Sequence, residues 1–160
     1  MEYLSIYDEN GQVTDRFIKR GDPIPEGDRV AVSIIFIEND DKFLIQKTSK
    51  EKGGEYSSTG GHINKGETPK EAILREVEEE LGFTLNSDLI KDYGPIKDDK
   101  VFRFLFYTQE YIPIELVSLQ TEEVEEVSYM TKEEIEKLIR KKKFLKSHGN
   151  LFKYLMKNKK

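Results

Sequence analysis

Three glutamates, Glu76, Glu79 and Glu80, have the residue type and spacing to do chemistry. Separations of three and four positions place side chains on one face of a helix, so three carboxylates converge within about one turn. Like charges so placed repel one another. A hard divalent cation with oxygen ligands relieves that repulsion and keeps coordination positions for water or a phosphate. A carboxylate cluster that binds such a cation can also hold a phosphate group. Taken alone, an acidic triplet in so charged a chain reads more readily as a solvated helix face. The residues around it change that reading. In GHINKGETPKEAILREVEEELGF, Gly61, Glu67, Arg75, Val77, Gly82 and Phe83 stand at fixed offsets from the triplet, and a solvated face requires none of them.

The triplet needs a helix, and the sequence marks one. Thr68 fits an N-cap, Pro69 the first helical position and Glu71 the reciprocal half of a capping box. Ala72, Ile73, Val77 and Leu81 recur at helical spacing and Gly82 suits the terminating position, which predicts a helix over Pro69–Leu81. Polar, Gly-rich residues 51–61 predict a loop leading into it. Upstream, residues 29–37 are β-branched and apolar enough for a buried strand, and Lys42–Thr48 should pair with it as a hairpin at the centre of the sheet. Tyr3–Tyr7 and residues 13–17 flank Asp8-Glu9-Asn10-Gly11 as a shorter hairpin. Downstream, residues 101–112 predict a long strand, 114–119 its continuation beyond Pro113, and 124–130 one more strand. A second capping box, Thr131 with Glu134, opens a helix with Ile135, Leu138 and Ile139 on one face. The order is mixed α/β.

At 160 residues the chain has the length of one domain. It divides into an N-terminal hairpin and loop (1–28), a core (29–130) and a C-terminal helical segment (131–160). The absence of cysteine excludes disulfides, a thiolate nucleophile and cysteine-ligated zinc. The first residues carry acids where a secretory signal carries positive charge, and the longest apolar run is far short of the roughly 20 residues of a membrane span. A cytoplasmic protein with no membrane contact is the expectation. The net charge of −5 conceals an asymmetry, since residues 132–160 hold 11 Lys or Arg against 3 acids and the remainder carries −13. A phosphorylated substrate approaching that acidic body needs cations as screens. Residues 140–160, basic with Phe144, Phe152 and Tyr154, invite a nucleic-acid reading. The simpler account is an amphipathic helix packing Leu151, Phe152 and Leu155 on the domain, and no nucleic-acid partner is expected.

The segment from Gly61 to Phe83 resembles the Nudix box at every specified position, with likeness densest over residues 29–83 and weaker through Met130 and Glu134. The resemblance implies an α/β/α sandwich with a central mixed sheet, in which the box forms loop, helix and loop. It implies Mg²⁺ or Mn²⁺ bound by Glu76, Glu79, Glu80 and the carbonyl of Gly61, with Glu67 and Arg75 in support. The implied activity is hydrolysis of a diphosphate linkage in a nucleoside diphosphate joined to another moiety, or in a related small substrate, with Glu76 the first choice of base. Glu123, in the acidic segment 122–126, is the alternative base or a further ligand. Lys47 stands where relatives commonly carry Arg toward a phosphate, Tyr56 is a candidate stacking residue, and His62 stays unassigned. Family habit allows a homodimer.

Tyr7-Asp8-Glu9-Asn10-Gly11, Arg20-Gly21 and Phe43-Leu44-Ile45-Gln46-Lys47 are similar to the branch of the family akin to isopentenyl diphosphate isomerase. Those isomerases use a cysteine just before the Gly-His of the motif. Gly60 occupies that place here, and the intact Arg75–Glu80 segment is the hydrolase form. A catalytically silent nucleotide-binding domain is the third reading, and the intact acids argue against it. The residues after the box, 95–101, match neither the ADP-ribose nor the diadenosine polyphosphate pattern, so the substrate stays open.

Overall fold

The computed structural model describes residues 2–98, 100–119, 122 and 124–159. Strand β3 (Val30–Asn39) organises the sheet, because VAVSIIFIEN is buried along almost its whole length. A strand apolar on both faces must be flanked by strands and covered on both sides. Strand β8 (Val101–Thr108) runs parallel to it from Val30↔Val101 to Ile37↔Thr108. On its other edge β6 (Thr59–His62) pairs antiparallel from Val32↔His62 to Ile35↔Thr59. Strand β7 (Lys91–Lys97) closes the far edge on β8. The remaining strands, β4 (Lys42–Thr48), β5 (Tyr56–Ser57) and β9 (Val124–Thr131), form the second half of a mixed seven-stranded sheet.

The two halves meet at a splayed hairpin. Asp40 and Asp41 both take left-handed backbone conformations, φ 55° and 61°, as a tight two-residue turn requires. Beyond Glu38↔Phe43 and Asn39↔Lys42, however, β3 and β4 separate. The edge that β4 vacates is taken by β6, so the expected central hairpin is instead the junction of two half-sheets. Residues 51–61, expected as a loop, contain β5 and all of β6 except His62. The long downstream strand stops at Thr108, and residues 114–119 do not continue it; they begin with a single 3₁₀ turn, Ile114–Leu116, off the sheet.

Helix α1 (Pro69–Leu81) has the predicted limits, with the Thr68/Glu71 capping box formed and Gly82 at φ 68° receiving the chain. Helix α2 (Lys132–Arg140) starts on the Thr131/Glu134 box, and α3 (Lys146–Asn158) follows. Strand alternation sorts the side chains into two cores. Ala31, Ile35, Ile37, Leu44 and Phe106 meet Ala72, Ile73, Val77 and Leu81 of α1 on one face. Ile34, Phe36, Phe43, Ile45 and Leu105 meet Ile135 of α2 and Leu151, Phe152 and Leu155 of α3 on the other. The result is helix, sheet and helices in three layers. The hairpin of β1 (Tyr3–Tyr7) and β2 (Val13–Lys19) forms its own small sheet, held by bridges Leu4↔Asn64 and Tyr7↔Arg29. Among the described residues no helix is long and apolar enough to cross a membrane.

Candidate active site

Burial of Ala72, Ile73, Val77 and Leu81 fixes the rotation of α1 about its axis. That rotation leaves Glu76 and Glu80 half-buried on the helix flank and Glu79 exposed. Arg75 holds the flank to the preceding loop. Its Nε donates to Glu67 Oε2 at 2.6 Å and Nη2 to Glu67 Oε1 at 2.9 Å, a bidentate pair. Nη2 also donates to the carbonyl of His62 at 3.0 Å, while Nη1 reaches Glu76 at 2.8 Å and Glu79 at 3.2 Å. One guanidinium thus ties β6, the loop and two of the three candidate carboxylates together. Glu67 Oε1 in turn accepts the Asn64 N–H at 2.8 Å. Burial pushes the Glu67 carboxyl up, but the Arg75 and Asn64 hydrogen bonds outweigh it and hold the group below the usual range.

Glu76 lies directly under Gly61. A Cβ on Gly61 would stand 2.4 Å from the Glu76 carboxyl carbon, so only glycine lets the carboxylate approach the strand this closely. Burial raises the Glu76 pKa, opposed by Arg75 and by a hydrogen bond with Glu80, and reinforced by the charge of Glu79. Two carboxyls within hydrogen-bonding reach need a proton or a cation between them.

The β6 ladder also decides which carbonyls face α1. Ile63 N–H donates to Ala31 O, so with the observed register 33/61 is a hydrogen-bonded pair and 32/62 and 34/60 are not. The carbonyl of Gly61 is therefore turned into the ladder toward Ser33. Those of Gly60 and His62 emerge on the opposite edge, where Arg75 takes that of His62. Gly60 is itself closed to side chains, because a Cβ there would lie 2.6 Å from the Ser33 carbonyl oxygen and 2.9 Å from Ile34. The cysteine of the isomerase branch has no room at this position.

Sequence reasoning overlooked Gln46 and Thr59. Strand period places Gln46 on the same face as Leu44, toward α1, and its amide donates to Glu80 Oε1 at 2.8 Å. Thr59 donates to Gln46 Oε1 at 2.9 Å, so a relay from β6 through β4 orients Glu80. A polar residue in register with the buried alternation of FLIQK was the available signal.

The same alternation turns Lys47 to the other face, where it lies 3.5 Å from Glu125 and over the Tyr56 ring at 5.6 Å. The structure brings neither Lys47 nor Tyr56 to the carboxylates. Glu123 lies outside the described residues. The His62 ring pKa is lowered by burial and then by Arg20, with Glu2 acting against them, and its backbone rather than its ring meets Arg75.

Among the described residues no three acidic or histidine side chains stand together as a ready-made metal cage. The donor set nevertheless fits a hard cation. All donors are oxygens, Glu76 and Glu80 are already crowded together, and Glu79, 54% exposed at its side chain, is free of packing that would prevent its turning from Arg75 to join them.

The NUDIX domain family model matches residues 27–155. An uncharacterized Nudix hydrolase of Listeria innocua is 31% identical over 143 residues, covering 86% of this chain and 85% of the relative. An 8-oxo-dGTP diphosphatase of Haemophilus influenzae is 33% identical over 84 residues, covering 49% of this chain and 60% of that protein. Among solved structures, DR0079 from Deinococcus radiodurans has the same fold at a TM-score of 0.76 and 20% identity, covering 99% of this chain and all of that one. The chain belongs to the Nudix hydrolase family.

Proposed function

We propose that this enzyme hydrolyses the diphosphate linkage of a nucleoside diphosphate joined to a second moiety, or of a related small nucleotide, with Mg²⁺ or Mn²⁺ as cofactor. The observation that carries the reading is the Arg75 clamp, which locks loop, strand and helix so that Glu76 and Glu80 share one flank beneath Gly60 and Gly61. Glu76, Glu79 and Glu80 would hold the cation. The ladder geometry supports the carbonyl of Gly60, rather than that of Gly61, as the backbone donor beside them. When bound, the cation supplies Lewis-acid activation of water and neutralises charge on the leaving phosphate.

The chain's own residues do the rest. Glu76, fixed between Arg75 and Glu80, accepts the proton of the attacking water. Gln46, braced by Thr59, holds Glu80 in place. Arg75 keeps its charge, because the Glu67 hydrogen bonds raise its pKa against the effect of burial, and it offsets part of the carboxylate repulsion whether or not a cation is present. The test is a phosphate-release screen across diphosphate compounds with Mg²⁺ or Mn²⁺, Glu80→Gln serving as control. Release by the wild type and none by the variant is the expected result. Equal release by both, or none by the wild type with any compound, overturns the reading.

A further inference from the structure

The basic end of the chain is not consumed by the fold. No acid occurs after Glu136, and residues 140–160 carry nine Lys or Arg. Helix α3 buries Leu151, Phe152 and Leu155, as an amphipathic packing helix should, yet its lysines stay exposed. A cavity of about 430 Å³ opens where α2 ends and α3 begins. Lys142, Lys146 and Lys153 line it together with Asn150, and Ile139 and Phe144 give it apolar walls. Among the described residues Glu55 is the one acid on its lining. Among the described residues, none of the three lysines has an ion-pair partner.

Lys142 carries a second signal. It closes α2 in a left-handed conformation, φ 59°, with its N–H on Ile139 O at 3.0 Å and the next N–H on Leu138 O at 2.9 Å. Glycine is the usual and least strained residue at that position. A lysine there sets an ammonium group at the cavity at the expense of backbone ease.

We propose that this cavity binds a phosphate-bearing small molecule of about mononucleotide size, at a site separate from the α1 carboxylates. Three ammonium groups around one concavity repel one another, and an anion among them removes the repulsion. Phosphate oxygens match ammonium donors, the apolar walls accept the body of a nucleotide, and the volume falls in the range of small-molecule pockets. The concavity is local to the α2–α3 junction, whereas an extended nucleic acid needs a continuous track of cations. The walls also touch the catalytic half of the sheet. Tyr56 N–H donates to Lys143 O at 2.9 Å, Leu145 N–H to Tyr56 O at 2.8 Å, and Thr48 N–H to Glu55 O at 2.9 Å, on the strand that carries Gln46.

Calorimetric titration of the full chain with AMP in EDTA tests the site, because the chelator removes metal-dependent binding at α1. Saturable one-site binding is expected. Lys142→Gly should weaken it about fivefold, the loss of one charge-assisted contact, without lowering Tm, since glycine relieves the left-handed strain. Lys146→Gln with Lys153→Gln should remove detectable binding and leave metal-dependent hydrolysis at the wild-type level. A ten-nucleotide single-stranded RNA should bind no more tightly than AMP. Absence of saturable AMP binding, or wild-type affinity in both variants, overturns the proposal. RNA binding much more tightly than AMP, with a steep salt dependence, overturns it in favour of a nucleic-acid surface.

Discussion

Gly61 shows how narrowly this site is built. The Glu76 carboxylate occupies the space where any other residue would place its Cβ. Gly61→Ala should therefore displace Glu76 without unfolding the protein, because the obstructing group is the far end of a side chain. A misplacement of about 1 Å is worth roughly 10²-fold in turnover. We expect kcat to fall by about that factor while Tm moves little, and a kcat near that of the wild type would show that Glu76 is not needed where it stands. Arg75 is the complementary case. Lysine keeps the charge but cannot make the bidentate pair with Glu67 while also reaching His62 O, Glu76 and Glu79. Arg75→Lys should lower both Tm and activity, and differential scanning calorimetry beside a turnover assay would show whether both fall.

At the level of elements, legibility followed the density of local signals. The limits of α1 were readable because a capping box, Pro69 and Gly82 mark both ends within the sequence itself. Thr68→Ala removes one of those marks and should cost about 1 kcal/mol, seen as a drop in Tm. The acidic face and Arg75 were readable for the same reason, since helical spacing alone places them together. Strands β5 and β6 were not readable. Tyr56-Ser57 is too short to show an alternation and Gly60-Gly61 disfavours a strand despite Thr59, so both segments are strands because β3 and β4 offer them free edges. Strand β7 contains Gly94-Pro95, which reads as a turn, but an edge strand with a register shift tolerates both. The separation of β3 from β4 is likewise a tertiary outcome, and with it went the two site residues that depend on it, Gln46 and Thr59. The face on which α1 covers β4 is tertiary information too, and it sets Lys47 beside Glu125 and Tyr56.

Across the whole molecule, the two cores share a single sheet, so the layer remote from the carboxylates still supports them. Phe152 is fully buried, with its ring centroid 5.5 Å from Phe36 and 5.2 Å from Phe43. Truncation to alanine should cost about 3–5 kcal/mol, measurable by urea unfolding. His148 couples α3 to the strands near the site through its 3.0 Å contact with Ser58. Burial first, and Arg103 second, push its pKa down to about 4, against the Ser58 backbone contact. The unfolded chain, with an ordinary histidine near 6.5, therefore binds the proton more readily between those two values. Stability from this residue is fully present above about pH 6.5 and declines as pH falls toward 4, by up to about 3 kcal/mol. Wild-type Tm should drop more between pH 7 and pH 5 than that of His148→Gln; parallel curves would remove His148 as the cause. The central claim remains that the α1 carboxylates act through a divalent cation on a diphosphate. Turnover of the best substrate from the screen, measured against Mg²⁺ concentration for wild type and Glu80→Gln, tests it most directly. The expected result is wild-type turnover abolished by EDTA and restored by saturating Mg²⁺, with at most a trace from the folded variant at any concentration. Turnover that survives EDTA, or a Glu80→Gln enzyme that matches the wild type, would contradict the account.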